Sequence, residues 1–142
     1  MLLSEFFQLD GMTRNILQQG ELVTHVSLPE DVEQWEGDYL KLSVRESWDF
    51  PEVGIAAAWK KNSAGELIDL RVASTALESI PKLHSDAVAK VLQQGWQGQT
   101  SILEVAELVR QSIKPVKNTY LAPAYRRKMA KVLTKRVLSQ LE

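Results

Sequence analysis

The sequence contains no cysteine, and that absence excludes several classes of function. Disulfides, thiolate metal sites, iron–sulfur ligation and cysteine nucleophiles all need a thiol. The lack of cysteine also fits a reducing compartment, so we expect a cytoplasmic protein. No apolar run approaches the roughly 18 residues of a membrane span, and the N-terminus has no charged segment followed by an apolar one. We therefore expect no membrane partner.

The chain has almost no net charge and no cluster of glycines. Seventeen basic and eighteen acidic side chains give a net charge of −1, which is not the positive field that attracts nucleic acid. Seven scattered glycines form neither GxGxxG nor GxxxxGK[ST], the loops that hold phosphates. The basic residues of the last helix flank an apolar stripe without interleaved aromatics, which favours a solvated face over a nucleic-acid site. These residues are Arg126, Arg127, Lys128, Lys131, Lys135 and Arg136.

The two histidines do not suggest a catalytic or metal site. His25 lies inside a predicted strand and His84 precedes a predicted helix, far away in sequence. Neither has a carboxylate at ligand spacing, and such sites need convergent partners. We expect both histidines to be structural or solvent-facing, and no metal ligand among them.

The first half of the chain has the alternation of β-strands. Residues 21–28 (ELVTHVSL) are rich in β-branched side chains and end at Pro29, which cannot donate to a sheet. Residues 38–46 place Leu40, Leu42 and Val44 on one face. Residues 53–60 and 66–73 flank KNSAG, a turn sequence, and predict an antiparallel hairpin.

The second half changes to helical spacing, with apolar residues three and four apart in three segments. These are residues 85–92, 101–113 and 123–141. Thr100 or Ser101 is the expected N-cap of the middle helix, with Glu104 at capping-box spacing from Ser101. Strands followed by helices predict one α+β domain, a two-layer sandwich of a three- to four-stranded antiparallel sheet and three helices. A chain of 142 residues has room for one such domain.

Residues 41–53 (KLSVRESWDFPEV) are the most unusual segment, because a charged strand face runs into an aromatic and proline turn. Exposed aromatics on such a loop often contact another molecule. Alternatively, Trp48 and Phe50 fold back over the edge of the sheet. The sequence leaves both interpretations open.

The same segment, extended to KLSVRESWDFPEVGIAAAWK, resembles the flavoprotein subunits of molybdenum hydroxylases, which include xanthine dehydrogenase and aerobic carbon monoxide dehydrogenase. The similar features are Lys-x-x-x-Arg, then Asp-aromatic-Pro-x-Val and a strand of small residues. EFFQLDGMTRNILQQGELVTHVSLP and APAYRRKMAKVLTKRVL resemble the family in the same order. The resemblance implies a CO dehydrogenase flavoprotein C-terminal-like domain in residues 21–142. Residues 1–20 would then link it to an FAD-binding part that is missing here.

The resemblance also implies partners and site residues. In that family, electrons pass from a molybdenum subunit through an iron–sulfur subunit to FAD, so we expect both subunits and the FAD-binding subdomains as partners. FAD would belong to the complete subunit, and this chain alone would bind none and be inactive. Leu22 and Val23 would pack near the isoalloxazine, and Lys41 would reach the flavin as a cationic donor. Arg45 and Asp49 would shape the neighbouring loop, or form an ordinary ion pair at the end of a strand.

Some positions depart from the family pattern. Thr75 and Ala76 stand in place of a usual Gly-Gly, Leu83 in place of an arginine, and Trp48 is bulkier than expected beside a flavin. The surface facing the missing part should be unusually apolar or conformationally loose. The alternative function is a non-enzymatic dimerisation or scaffold module derived from this fold, present as a homodimer.

Overall fold

Four antiparallel strands form one sheet in the computed structural model, which describes residues 1–46 and 48–141. The sheet order is β1-β2-β3-β4. The strands are β1 (Glu36–Leu42), β2 (Val53–Lys61), β3 (Leu67–Thr75) and β4 (Lys82–Leu83). Asn62 organises the β2–β3 turn, because its Oδ1 accepts hydrogen bonds from the backbone N–H groups of Ala64 and Glu66, both at 2.9 Å. The predicted hairpin is confirmed.

Helices cover one face of this sheet. After a short N-terminal helix, α1 (Leu3–Phe6), come α2 (Ser85–Leu92), α3 (Gln99–Ser112) and α4 (Pro123–Leu138), and a 3₁₀ turn (Ser139–Leu141) continues α4. Alternation along β2 buries Val53, Ile55, Ala57 and Trp59 against the helices. The helices contribute Ile102, Val105, Val109, Leu133 and Val137 to the same core. The predicted two-layer α+β architecture is therefore confirmed.

The predicted strand at residues 21–28 is wrong. This segment is extended but belongs to no strand, and its apolar side chains are exposed. A strand forms only where a neighbouring strand pairs with its backbone groups, and the backbone hydrogen bond recorded here among the described residues is a local one, from the Glu21 N–H to the Gln18 carbonyl at 3.0 Å. The fourth strand is instead the short β4, in which Leu83 pairs with Ala73. The first predicted strand of the sheet also ends earlier, at Leu42 rather than residue 46.

The predicted N-cap of α3 is also wrong. The helix begins at Gln99, and its N-cap is Gly98, whose φ of +54° is readily adopted only by glycine. Ser101 lies inside the helix and is buried, where its Oγ accepts a hydrogen bond from the backbone N–H of Gln97 at 2.8 Å. The expected capping box between Ser101 and Glu104 does not form, because the turn at Gly98 starts the helix earlier.

Within the described ranges, no helix combines the length and the apolar character that crossing a membrane requires. The same ranges contain no group of three or more His, Asp or Glu side chains arranged to hold a metal ion.

Candidate functional site

Lys41 lies near the end of β1 on the sheet face that carries no helix. Leu40 and Leu42 turn toward the core, so the alternation of the strand directs Tyr39 and Lys41 to the other face. Lys41 is paired in register with Gly54 of β2. A Cβ atom at Gly54 would come within 2.6 Å of the Tyr39 hydroxyl oxygen, so glycine is what allows this tyrosine to lie close against the sheet.

The loop that follows β1, residues 43–52, is called the Lys41 loop below. Its centre is Asp49, whose Oδ2 accepts from the Arg45 backbone N–H at 2.9 Å and whose Oδ1 accepts from the Arg45 guanidinium at 3.0 Å. The Lys41 ammonium donates to the Asp49 carbonyl at 2.9 Å. At the base, the Glu52 N–H donates to the Leu42 carbonyl at 2.7 Å. Among the described residues, these bonds fix the path of the loop.

Electrostatics reinforce this geometry. The hydrogen bond from the Arg45 guanidinium, joined by its backbone N–H, lowers the pKa of Asp49 to about 2. The same contact raises the pKa of Arg45. Asp49 is therefore ionised at neutral pH, and the ion pair expected from the sequence is formed. An ammonium has three N–H donors, so Lys41 keeps two beyond its bond to Asp49.

Trp48 and Phe50 extend into solvent instead of folding over the sheet. Their side chains are 93% and 84% exposed, and Val44 in the same loop is 61% exposed. The interpretation that these aromatics cover the sheet edge is wrong, because Asp49 holds the loop away from it. A hydrogen-bonded loop that exposes two aromatic rings is typical of a contact surface.

Leu22 and Val23 are also exposed, at 72% and 52%. No hydrogen bond among the described residues joins residues 21–28 to the Lys41 loop. The structure thus brings Lys41, Arg45 and Asp49 together, while the position of Leu22 and Val23 relative to a flavin stays a prediction.

Arg126 is the important residue that sequence reasoning missed. It was expected on a solvated face, which is wrong, because its side chain is fully buried. The buried positions of α4 are Arg126, Ala130, Leu133, Thr134, Val137 and Leu138. The neighbouring aromatic residue, Tyr125, is instead 45% exposed. The small residue Ala130, one turn after Arg126, was the signal that could have revealed the buried face.

The histidines are as expected, one exposed and one structural. His25 is exposed, and its Nδ1 lies 2.9 Å from the Thr24 hydroxyl. His84 is buried, with Nε2 at 2.9 Å from Ser74 Oγ and Nδ1 at 3.0 Å from Ser112 Oγ. Burial lowers the pKa of His84 to about 4, and the positive charge of Lys82 adds to the effect. His84 is thus a neutral link between β3 and α3.

The departures from the family pattern are accommodated locally. Ala76 has a left-handed backbone with φ of +65°, the conformation for which glycine is suited. Its carbonyl accepts a hydrogen bond from Arg126. Leu83 is 57% exposed at the sheet edge.

Fold and site together define a two-layer α+β domain with Lys41 and a hydrogen-bonded loop on the uncovered side of its sheet. Residues 38–141 match the model of the CO dehydrogenase flavoprotein C-terminal domain. The chain therefore belongs to this family, as its resemblance to molybdenum-hydroxylase flavoproteins indicated.

Solved structures show the same fold. The carbon monoxide dehydrogenase from Hydrogenophaga pseudoflava matches with a TM-score of 0.64 and 20% identity over 74% of this chain. Quinoline 2-oxidoreductase from Pseudomonas putida 86 matches with a TM-score of 0.62 and 22% identity over 75% of this chain. In both cases the match spans 36% of the solved chain. The chain thus corresponds to about a third of the proteins that it resembles.

Proposed function

We propose that this chain completes the flavin pocket and the subunit contacts of an FAD-binding oxidoreductase subunit of the xanthine or CO dehydrogenase type, without catalytic activity of its own. The observation that carries this proposal is the Lys41 ammonium, which is held by Asp49 on the uncovered face of the sheet and has two more N–H donors without a partner among the described residues. Membership of the flavoprotein family supplies the cofactor class. Residues 1–20 would link the domain to the FAD-binding part.

Lys41, together with exposed apolar side chains of residues 21–28 and of the Lys41 loop, suits a flavin. An isoalloxazine is planar, apolar on its faces and rich in acceptors at its pyrimidine end, so it needs apolar surface together with a few well-placed donors. Lys41 offers the donors, while Trp48, Phe50, Leu22 and Val23 offer exposed apolar surface. FAD, when bound, carries the electron transfer. This chain would hold its position and exclude water from one side.

The charge of Lys41 would also affect the reduction potential. A fixed positive charge close to a flavin stabilises the negative charge gained on reduction, and the effect is largest when water is excluded. Arg45 and Asp49 form an ion pair in which the two charges offset each other, so Lys41 of β1 is the positive charge that would act on the flavin. Their contribution would be to hold the loop in shape.

Exposed apolar side chains support an extended contact surface. Leu22, Val23, Val26 and Leu28 are all more than half exposed, as are Trp48 and Phe50. Contiguous exposed apolar surface marks an interaction site, and we infer that these two segments contribute to one. We assign this surface to the FAD-binding subdomains, with the iron–sulfur and molybdenum subunits as further partners of the complete enzyme. A cytoplasmic location stays a prediction from the sequence.

The second candidate function is a dimerisation or scaffold module, favoured by the same exposed surface if a second copy covers it. The two functions differ in one observable property. A homodimer buries Trp48 and Phe50 without any FAD-binding chain, whereas a pocket-completing domain buries them only when that chain is present.

Replacing Lys41 tests the proposal. The chain is combined with the FAD-binding part of the same locus, and Lys41→Met is compared with Lys90→Met, which removes an exposed lysine on α2. Losing a charged hydrogen bond worth about 1.5 kcal/mol weakens FAD affinity about tenfold, and the potential becomes more negative. Lys90→Met leaves both unchanged. Equal affinity and potential in all three proteins would contradict the assignment of Lys41.

A further inference from the structure

Arg126 occupies a buried junction between three separate chain segments. Its Nε donates to the Glu52 carbonyl at 2.9 Å, and its Nη1 donates to the Val116 carbonyl at 2.7 Å and to Asn118 Oδ1 at 3.1 Å. Its Nη2 donates to the Ala76 carbonyl. One side chain of α4 thus joins the segment before β2, the segment after β3 and the α3–α4 connection.

The guanidinium is well suited to this junction. It carries five N–H donors in a fixed plane and makes four hydrogen bonds here, one more than the three donors of a lysine ammonium could supply. Glu52 Oε2 lies 3.7 Å from Arg126 Nε and has no hydrogen-bond partner among the described residues. The pair balances the buried charge, although burying both ions carries a desolvation cost. Apolar residues could fill such a space, so the arginine is best explained by the geometry it imposes.

The junction connects directly to the Lys41 loop. Glu52 is the last residue of that loop, and its own N–H closes the loop by donating to Leu42, the residue after Lys41. The carbonyl of Glu52 is the group that Arg126 holds. Arg126 therefore fixes one end of the loop whose other end follows Lys41 in β1, although Arg126 lies on the opposite, helix-covered side of the sheet.

We propose that Arg126 is a positioning residue for the flavin site, which holds the base of the Lys41 loop so that Lys41 and Asp49 are ordered before the cofactor arrives. The inference rests on the proposed function, since it concerns the same site. It adds a residue of α4 that does not touch the cofactor. Preordering the loop lowers the entropy lost on binding and thus raises flavin affinity.

Amide hydrogen exchange on this chain alone tests whether Arg126 orders the base of the Lys41 loop. Arg126→Lys keeps the positive charge but loses the planar set of donors. In Arg126→Lys, we expect exchange of the Arg45 and Glu52 amides to accelerate relative to wild type by a factor at least ten times larger than that of the Val105 amide in α3. Equal acceleration at all three amides would overturn the proposal, because it would show only a general loss of stability. If Arg126→Lys does not fold, Asn118→Ala removes one of the four bonds and is compared in the same way.

Flavin titration of the complex between this chain and the FAD-binding part tests whether Arg126 contributes to flavin affinity. Arg126→Lys should weaken FAD binding about fivefold while Lys41 is still present, and Lys128→Met, at an exposed position of α4, should have no effect. Unchanged affinity in Arg126→Lys, together with a loss in Lys41→Met, would overturn this inference and leave the proposed function standing. If Lys41→Met also had no effect, the proposed function itself would fail.

Discussion

The Arg126 guanidinium donates a hydrogen bond to the carbonyl of Ala76, which alone among the described non-glycine residues has a left-handed backbone. The bond fastens a strained turn to the start of α4. A left-handed conformation costs an L-residue about 1–2 kcal/mol, and glycine adopts it freely. The turn that departs from the family's glycines therefore keeps a conformation suited to glycine.

Ala76→Gly should stabilise the domain. Relief of the left-handed strain exceeds the extra chain entropy that glycine brings to the unfolded state, so the free energy of unfolding should rise by about 0.5–1 kcal/mol. Urea unfolding measures the change. Ala89→Gly, at an exposed position of α2, is the control and should destabilise by about 1 kcal/mol. Equal destabilisation by both substitutions would contradict the strain at Ala76.

Stability should fall in mild acid because of His84. Its folded pKa of about 4 lies below the unfolded value near 6.5, so the unfolded chain binds more protons between these pH values. The contribution is fully present above pH 6.5 and is lost as the pH falls toward 4, with an upper limit of about 3 kcal/mol. Ser112 Oγ donates to the Val109 carbonyl, so it accepts from Nδ1–H of the neutral ring.

Chemical denaturation at several pH values measures this loss. His84→Gln should remove most of the slope between pH 4 and 6.5, with Lys82 and Glu78 as the neighbouring charges that remain. His25→Gln, at the exposed histidine, should leave the slope intact. A wild-type slope in the His84 variant would show that another group is responsible.

Adjacent residues of α3 should differ sharply in their contribution to stability. Ile102 is fully buried and Leu103 is 43% exposed. Ile102→Ala leaves a cavity in the core and should cost about 2–5 kcal/mol, whereas Leu103→Ala should cost less than about 1 kcal/mol. The midpoint of urea unfolding compares them. Similar losses at both positions would mean that α3 does not pack as described.

Trp48 and Trp59 should have opposite effects on stability and assembly. Trp48 is 93% exposed, so Trp48→Ala should leave the free energy of unfolding within about 0.5 kcal/mol of wild type. The same change should weaken association with the FAD-binding part at least tenfold, since buried tryptophans dominate interfaces. Trp59 is buried, and Trp59→Ala should cost about 3–5 kcal/mol. Unaltered association of the Trp48 variant would exclude its loop from the interface.

The elements that could be predicted from sequence are those whose residue pattern reflects contacts formed within this chain. The hairpin at KNSAG and helix α2 are local, so turn chemistry and helical spacing sufficed. Residues 21–28 have the composition of a strand but no partner edge in the described structure, and composition alone cannot reveal a missing neighbour.

Only part of the candidate site could be predicted from the sequence, because some of its contacts join residues far apart in the chain. Arg45 and Asp49 are four positions apart in the sequence, so their ion pair could be anticipated. Arg126 contacts Glu52 across 74 positions, so no local pattern indicates that pair. The run of basic residues in α4 looks uniform in sequence, and only packing distinguishes the buried Arg126 from the exposed Lys128.

The most direct test of the account is a fluorescence titration with FAD, carried out on this chain, on the FAD-binding part of the same locus and on their mixture. The account predicts no binding to this chain alone and at least tenfold tighter binding to the mixture than to the FAD-binding part. It also predicts a complex of the two chains in sedimentation. Identical affinity with and without this chain, and no complex, would contradict its role in completing the flavin pocket.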